Sequence, residues 1–212
     1  MSNRTSAQCP VNLRTLDVAH NSLRALTPGS LASTSLLTSL LASSNQVAVL
    51  DSNALRGLPL LQVIDLSSNQ LAALPPDLFL DNGDLREIKL ANNSIGTIHL
   101  SVFRNLTKLE RLDLSRNQLD ENWIKEDMFA DLTALKVLDL SHNHLSSIDS
   151  NLLQKLTQLE FLDLSHNRLE VVTSQALTSL SNLNTLLLSP ASWSAAWPWG
   201  RSSPLRLHLW PA

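Results

Sequence analysis

The sequence predicts one solenoid of α/β type: short parallel strands stacked into a single curved sheet, backed by loops and short helical turns. Three observations carry that expectation. Asparagine recurs at Asn21, Asn45, Asn69, Asn93, Asn117, Asn143 and Asn167, in steps of 24 residues with one step of 26. Apolar residues precede each asparagine at fixed offsets, as in Leu159-Glu160-Phe161-Leu162-Asp163-Leu164-Ser165-His166-Asn167. A second apolar column, Leu31, Leu55, Phe79, Phe103, Phe129, Leu153 and Leu177, follows each asparagine in the same rhythm. A fixed period of this size is the signature of a repeat architecture.

Each unit opens on one apolar residue, at Leu13, Leu37, Leu61, Leu85, Leu109, Leu135, Leu159 and Leu183. The next two core positions read Leu16/Val18, Leu40/Ala42, Ile64/Leu66, Ile88/Leu90, Leu112/Leu114, Leu138/Leu140, Leu162/Leu164 and Leu186/Leu188. That alternation has period 2, so it predicts a strand with one face inward. Repeated strands must be parallel neighbours, because each unit buries its apolar face only against the next. Eight strands at about 4.8 Å each give a sheet roughly 35 Å long.

The asparagine follows the strand where the chain turns inward and its backbone polar groups lose water. A side-chain amide donates and accepts, so a stack of amides can satisfy those groups between repeats. The seven asparagines are therefore expected to be a structural ladder. The apolar column after them is expected to be a spine under the outer wall. The two extra residues fall between Leu119 and Phe129; they must bulge outside the core, with Trp123 either anchoring the bulge against the wall or standing exposed as an aromatic contact for a partner.

Three segments follow: an uncapped edge over 1–12, the solenoid over 13–189, and a tail over 190–212 that has no repeat frame. The tail holds four of the five tryptophans and is expected to be disordered or collapsed. The chain carries 16 Lys and Arg against 19 Asp and Glu, for a net charge of −3. With no basic excess or cluster, nucleic acid is not an expected partner. Cys9 is the single cysteine, so no internal disulfide can form. No apolar run approaches the ~20 residues of a membrane helix, and the N-terminus shows no apolar stretch of a secretory signal.

In a stack of this kind the residues between core leucines face outward on the sheet. The central column reads Asp17, Leu41, Asp65, Lys89, Asp113, Asp139 and Asp163. Beside it run Thr15, Ser39, Val63, Glu87, Arg111, Val137 and Phe161. The residues just before each asparagine are His20, Ser44, Ser68, Asn92, Arg116, His142 and His166. From these the expected partner-binding set is Asp65, Arg111, Asp113, Val137, Asp139, Phe161, Asp163, His142 and His166. Val137 and Phe161 are expected to be an exposed apolar patch. The aspartates form an acidic stripe that could steer a basic partner, or they are satisfied by neighbouring hydroxyls as part of the repeat. His142 and His166 lie near Asp139 and Asp163, which would raise their pKa values.

Catalysis is not expected. Asp139, Ser141 and His142 are triad-type residues, but they recur as Asp163, Ser165 and His166, as repeat positions do. No Gly-x-Ser-x-Gly elbow, P-loop or dinucleotide fingerprint occurs. No cofactor is implied, and no Cys or additional His converges to hold a metal. Sequons at Asn92 and Asn105 are possible N-glycosylation sites. The first would sit at the edge of the concave sheet and the second on the outer side. A third sequon begins at Asn3.

The frame L-x-x-L-x-L-x-x-N-x-L-x-x-L, with its 24-residue unit and Phe spine, resembles the extracellular class of leucine-rich repeats. More finely, LRTLDVAHNSLRAL (13–26), residues 61–95 and LERLDLSRNQL with the Trp-bearing insertion (109–132) resemble ectodomains of the Toll receptor family, especially the long arthropod Toll receptors. The resemblance covers roughly residues 11–189. It implies the ligand-binding part of an innate-immune or developmental signalling receptor, on the outer side of the plasma membrane. Such receptors bind a protein or pattern ligand, dimerise, and signal through a cytoplasmic TIR domain. The chain shows no cysteine-rich caps, membrane helix or TIR domain, so it is expected not to signal alone. The alternative is an intracellular repeat adaptor that holds protein partners on its concave face.

Overall fold

A computed structural model describes residues 12–122, 124–125, 127–148, 151–170, 172, 174–188 and 206–209, the last four as backbone only. Cys9, Trp123 and the tail tryptophans lie outside the described residues. In chain order the elements are β1 (Thr15–Asp17), β2 (Ala25–Leu26), β3 (Ser39–Leu41), β4 (Val49–Leu50), β5 (Val63–Asp65), β6 (Ala73–Leu74) and β7 (Glu87–Lys89). Then come β8 (Thr97–Ile98), β9 (Arg111–Asp113), β10 (Val137–Asp139), β11 (Phe161–Asp163), α1 (Ser174–Leu177), β12 (Thr185–Leu188) and β13 (Arg206–Leu209).

Nine strands form one sheet in the order β1-β3-β5-β7-β9-β10-β11-β12-β13. Every pair is parallel, and from β1 to β12 the strands keep repeat register, as in Arg111↔Val137↔Phe161 and Asp113↔Asp139↔Asp163. The strands β2 and β4, and likewise β6 and β8, pair where the chain leaves the ladder asparagines. Beyond them the wall is made of turns and the one-turn helix α1. Turns and bulky side chains take more room than strands, so the stack bends toward the sheet, which becomes the concave face.

The alternating burial of the strands explains the core. Leu40, Ile64, Ile88, Leu112, Leu138 and Leu162 point inward and are buried. The second column is buried throughout, from Leu31 to Leu177. Phe79 and Phe103 stack with centroids 6.4 Å apart, and Phe103 and Phe129 lie 5.9 Å apart. Offset aromatic pairs at these separations add to the gain from burial.

The asparagine ladder has the expected form and a regular geometry. Asn69 Nδ2 donates to the carbonyls of Ala42 at 3.0 Å and Leu66 at 3.0 Å, while its Oδ1 accepts the Val47 N–H at 2.9 Å. Each amide thus ties its own repeat to the preceding one. The 26-residue step leaves this unchanged: Asn143 Oδ1 accepts the Leu119 N–H at 3.0 Å, and Nδ2 donates to Leu114 O at 3.0 Å. Around the insertion, Ile124 and Met128 are buried, and the Asp120 carboxylate accepts the Asn122 N–H at 2.8 Å.

Backbone geometry beside the ladder is not visible in the residue pattern. His20, Ser44, Ser68, Asn92, Arg116, His142 and His166 all adopt left-handed backbone, with φ between 53° and 56°. This bend lets the chain enter the core while its N–H still reaches the next repeat: the Arg116 N–H donates to Ser141 O at 2.9 Å and the His142 N–H to Ser165 O at 2.9 Å. Left-handed backbone costs a non-glycine residue about 1–2 kcal/mol, and the extra ladder bond offsets part of that.

Two further features lie outside the repeat pattern. Asn82 stands in an outer column with Thr34, Leu58, Leu106, Leu132 and Leu156. It is fully buried and donates to Leu55 O at 3.1 Å and Leu58 O at 2.9 Å. Its Oδ1 is buried without a hydrogen-bond partner among the described residues. In the tail, expected to lack regular structure, Arg206–Leu209 pairs in parallel with β12, Thr185 against Arg206 and Leu188 against Leu209. The outer edge of β12 offers unpaired backbone groups, and Arg206-Leu207-His208-Leu209 alternates with the period a strand needs.

Candidate functional site on the concave sheet

Parallel register brings residues from four repeats together on the concave face. Glu87 and Lys89 of β7, Arg111 and Asp113 of β9, Val137 and Asp139 of β10, and Phe161 of β11 line a hollow of about 160 Å³ floored by Ile88 and Leu112. Five of the nine expected binding residues therefore share one site. Asp163 continues the acidic row beside Asp139. Asp65 lies on β5, outside the hollow, and His142 and His166 stand on the flank beyond the strand ends. Glu87 and Lys89 were visible in the concave columns; what marks them as lining is the register of β7 against β9.

Val137 and Phe161 are half-buried rather than exposed. Neighbouring side chains on an inward-curving face crowd each other, so the patch is a recess and not a protruding surface. The aspartates are partly scaffold. Asp113, Asp139 and Asp163 Oδ1 accept the N–H two residues on, from Ser115, Ser141 and Ser165, at 2.9, 2.9 and 2.8 Å. Ser115 Oγ also donates to Asp113 at 2.7 Å. Each carboxylate closes the turn that ends its strand and leaves its other oxygen for the face.

Charge is distributed unevenly along the sheet. From β7 to β10 several cations and anions are matched within the chain: Arg86 and Lys136 both pair with Glu110, at 3.1 and 2.9 Å, and Lys89 pairs with Glu87 at 3.4 Å. The hydrogen bond and charge of Lys136, then those of Arg86, hold the Glu110 carboxyl below its usual range. Asp113 and Asp139 have no ion pair among the described residues. Burial pushes the Asp139 pKa up, and the charges of Asp163 and Asp113 add to the rise against the opposing Ser141 hydrogen bonds.

The histidine pair is closer than the sequence implies: the His142 and His166 rings stack 4.0 Å apart at 10°. The expected rise in basicity is reversed at His142. Burial first, then His166 and Arg116, lower its pKa, and Asp163 only partly opposes them. A neighbouring imidazole and guanidinium outweigh the carboxylate.

On the outer wall, Leu100, Phe103, Arg104, Asp127, Met128, Ala130 and Asp131 line a second cleft of about 440 Å³. Asn92 and Asn105 are both exposed. Asn92 lies at the sheet edge, donating to Ser68 Oγ at 3.1 Å, and Asn105 lies on the outer side, where its N–H donates to Asp131 at 2.8 Å. Among the described residues no group of three or more His, Cys, Asp or Glu could hold a metal ion. No described helix is long and apolar enough to cross a membrane.

Comparison with known proteins agrees with this architecture. The FLRT2 leucine-rich repeat region, in an octameric complex with latrophilin 3 and Unc5D, is similar at 29% identity and TM-score 0.71, over 85% of this chain and 62% of that one. A TLR13–ssRNA13 complex matches at 27% identity and TM-score 0.76, over 82% of this chain and 24% of TLR13. A leucine-rich repeat protein of Leptospira interrogans matches at 27% and 0.73, over 82% and 42% of the two chains. The chain thus spans less than two thirds of each of these proteins. With 444 solved chains matching, the similarity speaks for the repeat and not for one receptor. No curated protein matches in sequence. The leucine rich repeat family profile matches residues 11–71, 59–119 and 123–169, and a second repeat profile matches 108–132 and 158–183. Well over half of the sequence is covered, and the chain belongs to the leucine-rich repeat family.

Proposed function

We propose that the chain is the ligand-binding region of a Toll-type receptor ectodomain, recognising a protein or pattern ligand on its concave sheet. Leucine-rich repeat solenoids are protein-interaction scaffolds. The observation that supports the concave face here is the recess at Arg111, Asp113, Val137, Asp139 and Phe161, where a half-buried aromatic and unpaired carboxylates share one register. Half-buried aromatics flanked by polar groups are the residue environment of binding hot spots. The extracellular-type repeat frame and the similarity to FLRT2 and TLR13 support a receptor setting. In such a receptor a second copy would be a partner as well as the ligand.

A photo-crosslinker placed at Phe161, compared with one at Arg104 on the outer wall, tests the reading against secreted proteins of the source tissue. Adducts from position 161 and none from 104 are expected; the reverse pattern contradicts it. The second reading, an intracellular adaptor, uses the same face. Glycans on Asn92 or Asn105 in native material would exclude it, and their absence from both would count against the receptor.

A further inference from the structure

The size and charge of the concave recess specify what fits it. The hollow measures about 160 Å³. That is well under the ≈ 300–1,000 Å³ of small-molecule sites, and it suits one inserted side chain. Its two kinds of wall are adjacent. Val137 and Phe161 are register neighbours on β10 and β11, and Asp113 and Asp139 are register neighbours on β9 and β10.

Parallel strands lie about 4.8 Å apart, so Asp113, Asp139 and Asp163 hold three like charges in a row. Like charges at such positions destabilise a sheet. Of the nearby cations, Lys136 pairs with Glu110 and Lys89 pairs with Glu87 within the hollow, while Arg111 lines the hollow and makes no ion pair with the three aspartates among the described residues. Burial and its acidic neighbours leave Asp139 above the ordinary carboxylate value of 3.8, so a cation arriving from outside would find an electrostatic deficit there.

We infer that the recess takes a lysine or arginine side chain of a protein partner, its aliphatic stem against Val137 and Phe161 and its cationic head between Asp113 and Asp139. An alkyl stem on an apolar wall with a charged head in a polar rim is how long basic side chains lie on surfaces. Phe161 adds a ring face for cation–π attraction. The inference rests on the concave face being the binding surface, and it adds the chemistry of the anchor.

Selection of a random linear peptide library against the full chain tests the two separately. Val137→Arg, which blocks the recess, reports whether a peptide sits on the concave face. Asp139→Asn reports the anchor, because its Oδ1 can still accept the Ser141 N–H and the turn is kept; Asp113→Asn is the parallel variant should the first fail to fold. Expected are peptides bearing a basic residue beside apolar ones, lost with Val137→Arg, weakened about tenfold by Asp139→Asn, and weakened further by added salt. Peptides that are lost with Val137→Arg but lack a basic residue, or that bind the Asn variants unchanged, overturn the anchor and leave the concave face standing. If nothing is selected, or the selected peptides ignore Val137→Arg, both inferences fall.

Discussion

Replacing Asn117 by alanine tests the ladder quantitatively. Its Oδ1 accepts the buried Ile95 N–H at 3.0 Å, and Nδ2 donates to Leu90 O and Leu114 O at 3.0 Å and to Ser115 O at 3.1 Å. The losses are unequal. Leu90 O also accepts from Asn93, and Leu114 O from Asn143, so each carbonyl keeps one partner. The Ile95 N–H loses its acceptor, and a stranded buried donor costs about 1–3 kcal/mol. The weakened carbonyls add about 1 kcal/mol between them, as second acceptors of modest net worth. Asn117→Ala should therefore destabilise by about 2–4 kcal/mol. Asn21 provides the control: it donates to Val18 O and Ala19 O from an exposed position at the first repeat, so Asn21→Ala should cost under about 1 kcal/mol. Urea unfolding followed by far-UV circular dichroism gives both midpoints. Equal shifts in the two variants would refute the account, because cost is assigned here to buried partners and not to the residue type.

Three other outcomes follow from the geometry. Ser44→Gly should stabilise by about 0.5–1 kcal/mol, the relief of left-handed strain less the added backbone entropy of glycine, whereas Ser44→Val should destabilise; thermal melting separates them. Asp139→Asn should raise the melting temperature at neutral pH and have little effect below the ordinary carboxylate value. The folded-state pKa is raised, so Asp139 binds its proton more tightly in the folded chain, and stability is lost as pH rises through and above 3.8. At His142 the folded-state pKa is lowered, so stability is lost as pH falls below 6.5. An NMR titration should place His142 below that value, and a His142→Gln variant should show a shallower acid-side loss of stability.

The scaffold was legible because one period fixes several things at once. The apolar offsets gave strand register from Leu13 to Leu188, and the asparagines gave the inter-repeat hydrogen bonds, insertion included. The central and side columns placed Arg111, Asp113, Val137, Asp139 and Phe161 on one face. What the pattern could not give depends on three-dimensional crowding. The half-burial of Val137 and Phe161 follows from neighbouring side chains on an inward-bending sheet. The lowered His142 pKa follows from a ring stack and a guanidinium that a column of residues does not reveal. Left-handed backbone at Arg116 and Ser44 has no residue signature, since neither type favours it. Nothing in the repeat frame marks Asn82, which is a buried bridge to the carbonyls of Leu55 and Leu58.

Amide hydrogen exchange on the full chain, free and saturated with its tightest-binding selected peptide, tests most directly the claim that recognition belongs to the concave face. Slowed exchange at residues 111–113, 137–139 and 161–163, with the outer cleft around Leu100, Arg104 and Met128 unchanged, is the predicted footprint. Protection confined to that outer cleft, with the strands β9 to β11 unaffected, would contradict it.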